Sequence, residues 1–281
     1  MEPVNVSLRA WDGLTLRARV HDGGDRLPPL LCLPGLVRTA EDFDVIAPFL
    51  GEGRRIVSLD YPGRGDSGRS TVLDRYGPEA CLRDVMDVCA ALHLGRVDVI
   101  GTSFGGLLAM GLGSARPAML RRVVLNDVGP EIGGEGAAFV RDFVGRDPAL
   151  ASLEDCAAFL RAHLPPMALH TEAAWRTMAS LTYRVGPDER FHPVWDTAIA
   201  GLLDRPAPDL WSYFGALAHV KLLLLRGGVS TLLTEAGVAR MRARRPDMTV
   251  VTVPGVGHAP ILTEAVARDA LVAFLSAEGG G

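Results

Sequence analysis

Residues 97–106 read VDVIGTSFGG, and this stretch decides the fold. An apolar run, 97–100, stops at Gly101-Thr102-Ser103-Phe104-Gly105, a G-x-S-x-G spacing, and a second apolar run, 107–112, follows it. The spacing suits a strand that turns sharply into a helix, with Ser103 at the strained corner and its hydroxyl exposed. Glycine at 101 and 105 keeps side chains out of the close approach between strand and helix. The helix start then offers the Phe104 N–H to a developing oxyanion. The stretch therefore reads as a nucleophilic serine.

Outward from it, 29–33, 55–59, 123–125, 221–225 and 249–253 are short apolar runs like 97–100. Such runs predict strands buried on both faces of a parallel sheet. Segments 4–10 and 14–20 alternate around Trp11-Asp12-Gly13 and read as an opening hairpin. Helical patterns lie between the runs, notably 78–92 and 104–115. This alternation predicts an α/β fold, a doubly wound, mostly parallel, eight-stranded sheet. Active sites in such sheets sit at the carboxyl ends of the strands.

Residues 131–215 break the rhythm: they hold helical patterns at 136–144, 153–164, 172–181 and 193–203, separated by prolines, and no strand run. The reading is a helical cap inserted after the sixth strand and lying over the strand ends. The expected division is a core in two parts, 1–130 and 216–281, around a cap at 131–215. The Gly-rich end, 278–281, reads as a frayed tail.

The 281 residues, 48% hydrophobic, suffice for a sizeable core. A formal net charge of −4 makes no electrostatic case for nucleic acid or an anionic membrane. Cys32, Cys81, Cys89 and Cys156 are scattered through apolar stretches without a C-x-x-C pair, and read as buried thiols in a reducing compartment. The start of the chain lacks a basic region followed by an apolar run, and no apolar run reaches the length of a membrane span. The expectation is a cytoplasmic protein acting on a small molecule; its oligomeric state is left open. A G-x-G-x-x-G is absent after the first parallel strand, and no His or Cys grouping has metal spacing, so neither cofactor nor metal is expected.

At four motifs the chain resembles the α/β-hydrolase fold enzymes, in the branch of capped esterases and C–C bond hydrolases. The first is the turn at Ser103. The second is Leu31-Cys32-Leu33-Pro34-Gly35-Leu36, with Pro34-Gly35 where many members carry His-Gly. The resemblance implies an oxyanion hole made by the N–H groups of Leu36 and Phe104. The third is Asp60-Tyr61-Pro62-Gly63-Arg64-Gly65-Asp66-Ser67, similar to the family's D-x-x-G-x-G-x-S loop, where Asp60 and Arg64 are candidates to fasten neighbouring loops. The fourth is Val253-Pro254-Gly255-Val256-Gly257-His258-Ala259-Pro260, which implies His258 as the general base. Gly35, Trp175, Tyr183 and Trp195 are expected around the substrate, and His163, His170 and His192 of the cap are expected to face water.

The third triad member departs from the pattern. The family's R-G-x-x-S-D segment reads Arg226-Gly227-Gly228-Val229-Ser230-Thr231, so Thr231 stands at the usual acid position. One explanation moves the acid to Asp127, after the sixth strand. A second is a Ser–His pair helped by Thr231 or water. A third is loss of the acid altogether. Glu235 is a further candidate, read as a helix cap. The function implied is a serine hydrolase cleaving a small apolar ester, lactone or C–C bonded ketone through an acyl-Ser103 intermediate. The alternatives are a receptor-like or catalytically impaired ligand-binding protein, and a non-hydrolytic lyase using the same Ser–His pair.

Overall fold

The computed structural model describes residues 2–205 and 209–276, so the frayed-tail reading of 278–281 lies outside the described residues. Eight strands form one sheet: β1 (Val4–Arg9), β2 (Thr15–Asp22), β3 (Leu30–Leu33), β4 (Arg55–Asp60), β5 (Val97–Thr102), β6 (Leu120–Asn126), β9 (Lys221–Gly227) and β10 (Thr249–Val253). Two short strands, β7 (Tyr183–Val185) and β8 (Phe191–Pro193), form a separate ribbon. The sheet order is β1-β2-β4-β3-β5-β6-β9-β10. The first two pairings, β1 with β2 and β2 with β4, are antiparallel, and the rest are parallel. The expected mostly parallel, eight-stranded α/β sheet is therefore the fold.

The helices are α1 (Ala47–Leu50), α2 (Pro78–Ala91), α3 (Phe104–Ala115), α4 (Gly134–Val144), α5 (Leu153–His163), α6 (Glu172–Thr182), α7 (Leu210–Gly215), α8 (Glu235–Arg244) and α9 (Ala265–Ser276). Strand alternation sends successive apolar side chains to opposite faces. Leu31, Leu33, Val123, Leu125, Leu222 and Leu224 pack with α2 and α3, whereas Leu30, Cys32, Val124, Leu223 and Leu225 pack with α9. Both faces are thus covered, which is why these strands read as continuous apolar runs rather than as alternating ones.

Register decides where the site can form. Leu33 pairs with Gly101, Thr102 with Asn126, Asn126 with Leu225 and Val253 with Gly227. The loops leaving β3, β5, β6, β9 and β10 therefore emerge along one edge. Between β6 and β9 the chain forms α4–α7 together with the β7–β8 ribbon, which corrects the expectation that this region holds no strand. A 3₁₀ helix, Thr197–Asp204, replaces the helix expected at 193–203. The region has its own small core of Cys156, Leu160, Trp175, Ala179 and Tyr183. A second cluster, Val144, Val194, Trp195 and Ile199, packs on Tyr76 and on Leu36 and Val37 of the loop after β3.

Candidate active site

Ser103 holds φ 51° and ψ −116°, a backbone conformation that only a constrained site imposes on a side-chain-bearing residue. Its N–H donates to Asn126 O at 3.0 Å, and its carbonyl accepts from Gly106 N–H at 2.8 Å. A Cβ on Gly105 would lie 2.0 Å from Leu33 O, and one on Gly101 would lie 2.5 Å from Gly105 O. The start of α3 thus presses against the ends of β3 and β5, and only glycine fits between them.

His258 Nε2 stands 2.8 Å from Ser103 Oγ, and Nδ1 stands 2.7 Å from Asp127 Oδ2. Asp127, with φ 53°, follows β6 and is fully buried. Its carboxylate also accepts the Gly227 N–H at 2.8 Å and the Ser230 hydroxyl at 2.6 Å. Ser230 Oγ in turn accepts from Leu232 and Leu233 N–H at 3.3 and 3.2 Å, which leaves its proton to Asp127. A carboxylate on Nδ1 makes that nitrogen the imidazole donor, so Nε2 of the neutral ring accepts from the serine hydroxyl.

Thr231 takes no part in this chain of bonds, since the imidazole Nδ1 is engaged by Asp127. Its neighbour Ser230 is a site residue that the sequence reading missed; the only signal was its place in the S-D pattern. Glu235 opens α8 after the capping residue Thr234, and its nearest charged partner is Arg226, at 3.7 Å. Asn126, the last residue of β6, precedes Asp127. Its Nδ2 donates to Pro260 O at 2.9 Å and to Thr102 Oγ1 at 3.1 Å, tying the histidine loop to the serine turn.

Leu36 lies in the loop after β3, and Phe104 is the first residue of α3, a position whose N–H has no intrahelical acceptor. The buried Arg64 steadies the Leu36 loop: its Nε donates to Leu36 O at 2.8 Å and its Nη1 to Pro62 O at 2.6 Å. Its guanidinium also lies over the Tyr61, Tyr76 and Phe104 rings. Asp60 accepts the Ala40 and Asp66 N–H groups at 2.7 and 2.9 Å. Burial outweighs those two bonds and pushes its carboxyl up to about 6.

Ser103 and His258 open on a cavity of about 300 Å³. Gly35, Leu36 and Trp195 line it, with Phe139, Phe143, Leu160, Met178 and other apolar side chains. Trp175 and Tyr183 do not; they are buried in the core of the cap, where Arg161 lies over the Trp175 ring. The periodicity that marks a buried face does not say which neighbour buries it. An ion pair interrupts the apolar wall. Arg38 pairs with Asp42 at 2.5 Å and donates to Thr182 Oγ1, on α6, at 2.7 Å. Among the described residues no group of three His, Cys, Asp or Glu side chains could hold a metal ion, and no helix is long and apolar enough to cross a membrane.

The chain belongs to the alpha/beta hydrolase family, whose model matches residues 30–273. It is 31% identical over 263 residues to a 3-hydroxybutyrate-oligomer hydrolase of Cupriavidus necator, covering 88% of this chain and 89% of the relative. It is 28% identical over 239 residues to an N-formylmaleamate deformylase of Pseudomonas putida, covering 82% and 81%. Among solved structures, an alpha/beta hydrolase from Novosphingobium aromaticivorans superposes with a TM-score of 0.91 at 35% identity, over 98% of both chains. The chain is thus similar to hydrolases along nearly its whole length.

Proposed function

We propose that the protein is a serine esterase that cleaves a small, largely apolar acyl ester through an acyl-Ser103 intermediate. The observation that carries this reading is the unbroken chain Ser103 Oγ–His258 Nε2–His258 Nδ1–Asp127 Oδ2, at 2.8 and 2.7 Å. In this reading His258 takes the serine proton as Oγ bonds the acyl carbon. Asp127 holds the imidazole in the tautomer with its proton on Nδ1 and stabilises the imidazolium that forms. The Leu36 and Phe104 N–H groups receive the developing oxyanion, each donor worth about 10²–10³ in rate. His258 then gives its proton to the leaving alcohol, and a water activated by the same nitrogen releases the acid. The relative that acts on 3-hydroxybutyrate oligomers favours esters of short hydroxy acids as the substrate class, and the 300 Å³ cavity accommodates a short acyl chain.

Stopped-flow hydrolysis of p-nitrophenyl butyrate tests the reading. The expected result is a burst of p-nitrophenol stoichiometric with enzyme, absent in Ser103→Ala. Turnover that survives this substitution would rule the reading out.

A further inference from the structure

His258 borders two cavities. The larger also contains Ser103 and the loop that carries Leu36. The second, about 210 Å³, is lined by His258, His163, Thr231 and Leu232 together with Phe139 and Val140 of α4. Ser103, Gly35 and Leu36 do not border it. Phe139, Val140, Leu164 and His258 border both spaces. Close packing sets the floor of the second. A Cβ on Gly133 would lie 2.1 Å from Thr231 O, and one on Gly136 would lie 2.6 Å from Leu232 Cα.

This division has a chemical consequence. The acyl carbon must stay at Ser103 Oγ, with its oxygen toward the Leu36 loop. The alcohol oxygen must instead meet His258 Nε2, which donates a proton to it as the C–O bond breaks. The second cavity is bordered by the imidazole and not by the nucleophile. We propose that the second cavity is the alcohol subsite, and that it takes an alcohol bearing a second hydroxyl. The inference rests on the acyl-Ser103 reading.

The polar side chains of the cavity set that preference. His163 Nδ1 bonds Phe159 O at 2.8 Å, and its ring stacks on the Phe159 ring with centroids 4.1 Å apart. A carbonyl only accepts, so Nδ1 carries the proton and Nε2 of the neutral ring is an acceptor. The Thr231 hydroxyl both donates and accepts, and it is free for this role because Asp127 occupies the imidazole Nδ1. Both residues are solvent-exposed, which leaves the alcohol a way in and out. An acceptor and a hydroxyl on the lining of one cavity match an O–H group and offer nothing to an alkyl end.

The test partitions the acyl-enzyme between water and an added alcohol. Enzyme acylated by p-nitrophenyl butyrate is offered either n-butanol or a butanediol with hydroxyls at both ends, and the new ester is measured against butyrate. In the transfer the alcohol gives its proton to His258 Nε2 as its oxygen bonds the acyl carbon. The bond to Ser103 Oγ breaks, and Oγ takes that proton back. The expected result is a preference for the diol of about five-fold, the worth of one net hydrogen bond. The double variant Thr231→Val, His163→Phe keeps the ring stack and should lose the preference. Equal transfer to both alcohols in the native enzyme, or a preference that survives the double variant, overturns the alcohol subsite while the burst leaves the esterase reading standing. Absence of any burst overturns both.

Discussion

His258 Nδ1 and Asp127 Oδ2 stand 2.7 Å apart, although their loops follow strands that are not neighbours, β10 and β6. Strand β9 lies between them, and its loop contributes no charge to the imidazole. It contributes the Gly227 N–H and the Ser230 hydroxyl instead, both donated to Asp127. The segment that resembles the family's acid-bearing loop thus serves as the cradle of a carboxylate supplied by the adjacent strand. Three donors, the Gly227 N–H, the Ser230 hydroxyl and His258 Nδ1, thus surround one buried carboxylate.

Asp127→Asn should lower kcat by about 10⁴ while leaving the fold intact, by analogy with acid loss in other triads. Thr231→Asp should change kcat little in the native background, because Nδ1 is already engaged. Steady-state kinetics on p-nitrophenyl butyrate, with circular dichroism to check folding, measures both. A near-native rate in Asp127→Asn contradicts the assignment.

Asn126 positions rather than reacts. Asn126→Asp cannot donate to Pro260 O or to Thr102 Oγ1 in its ionised form, and leaves that buried carbonyl unpaired. The cost should be about 1–3 kcal/mol of stability, read by urea melts, with a fall in kcat larger than any rise in KM. Equal stability and kinetics in the variant would mean that these bonds do not hold the histidine loop.

Gly105→Ala tests the close contact at the serine turn. The added methyl would meet Leu33 O at 2.0 Å, a backbone atom that cannot swing aside. Overpacking of this kind costs about 1–3 kcal/mol or more and shifts the turn that carries Ser103. A thermal melt should show a lowered midpoint, and phosphonate labelling of Ser103 should slow. An unchanged midpoint refutes the contact.

The Asp60 carboxyl should titrate well above the ordinary 3.8, at about 6, when followed by carbon NMR. Burial favours its protonated form, so the folded chain holds this proton while the unfolded chain releases it. The group's contribution is present below 3.8 and is lost as pH rises through about 6, roughly 3 kcal/mol over the whole window. A midpoint at or below 3.8 contradicts it.

The sheet and its loops were legible because both kinds of element leave local marks. Strands buried on both faces are short apolar runs, and tight turns at their ends need glycine. The β7–β8 ribbon left no such mark: each strand has three residues, and the second ends in Pro193. The cap aromatics were legible as buried but not as sorted, so Trp195 faces the cavity while Trp175 and Tyr183 face α5. Ser230 and Asn126 were hidden for another reason. Their partners Asp127 and Pro260 lie 103 and 134 residues away along the chain, and only the strand register brings them together.

Activation of Ser103 by His258 and Asp127 is read most directly by mass spectrometry after treatment with a fluorophosphonate, which needs an activated serine and no choice of substrate. The expected result is one adduct per chain, on the peptide containing Ser103, formed far more slowly in His258→Gln and in Asp127→Asn. No adduct on Ser103, or labelling at the same rate in both variants, would contradict it.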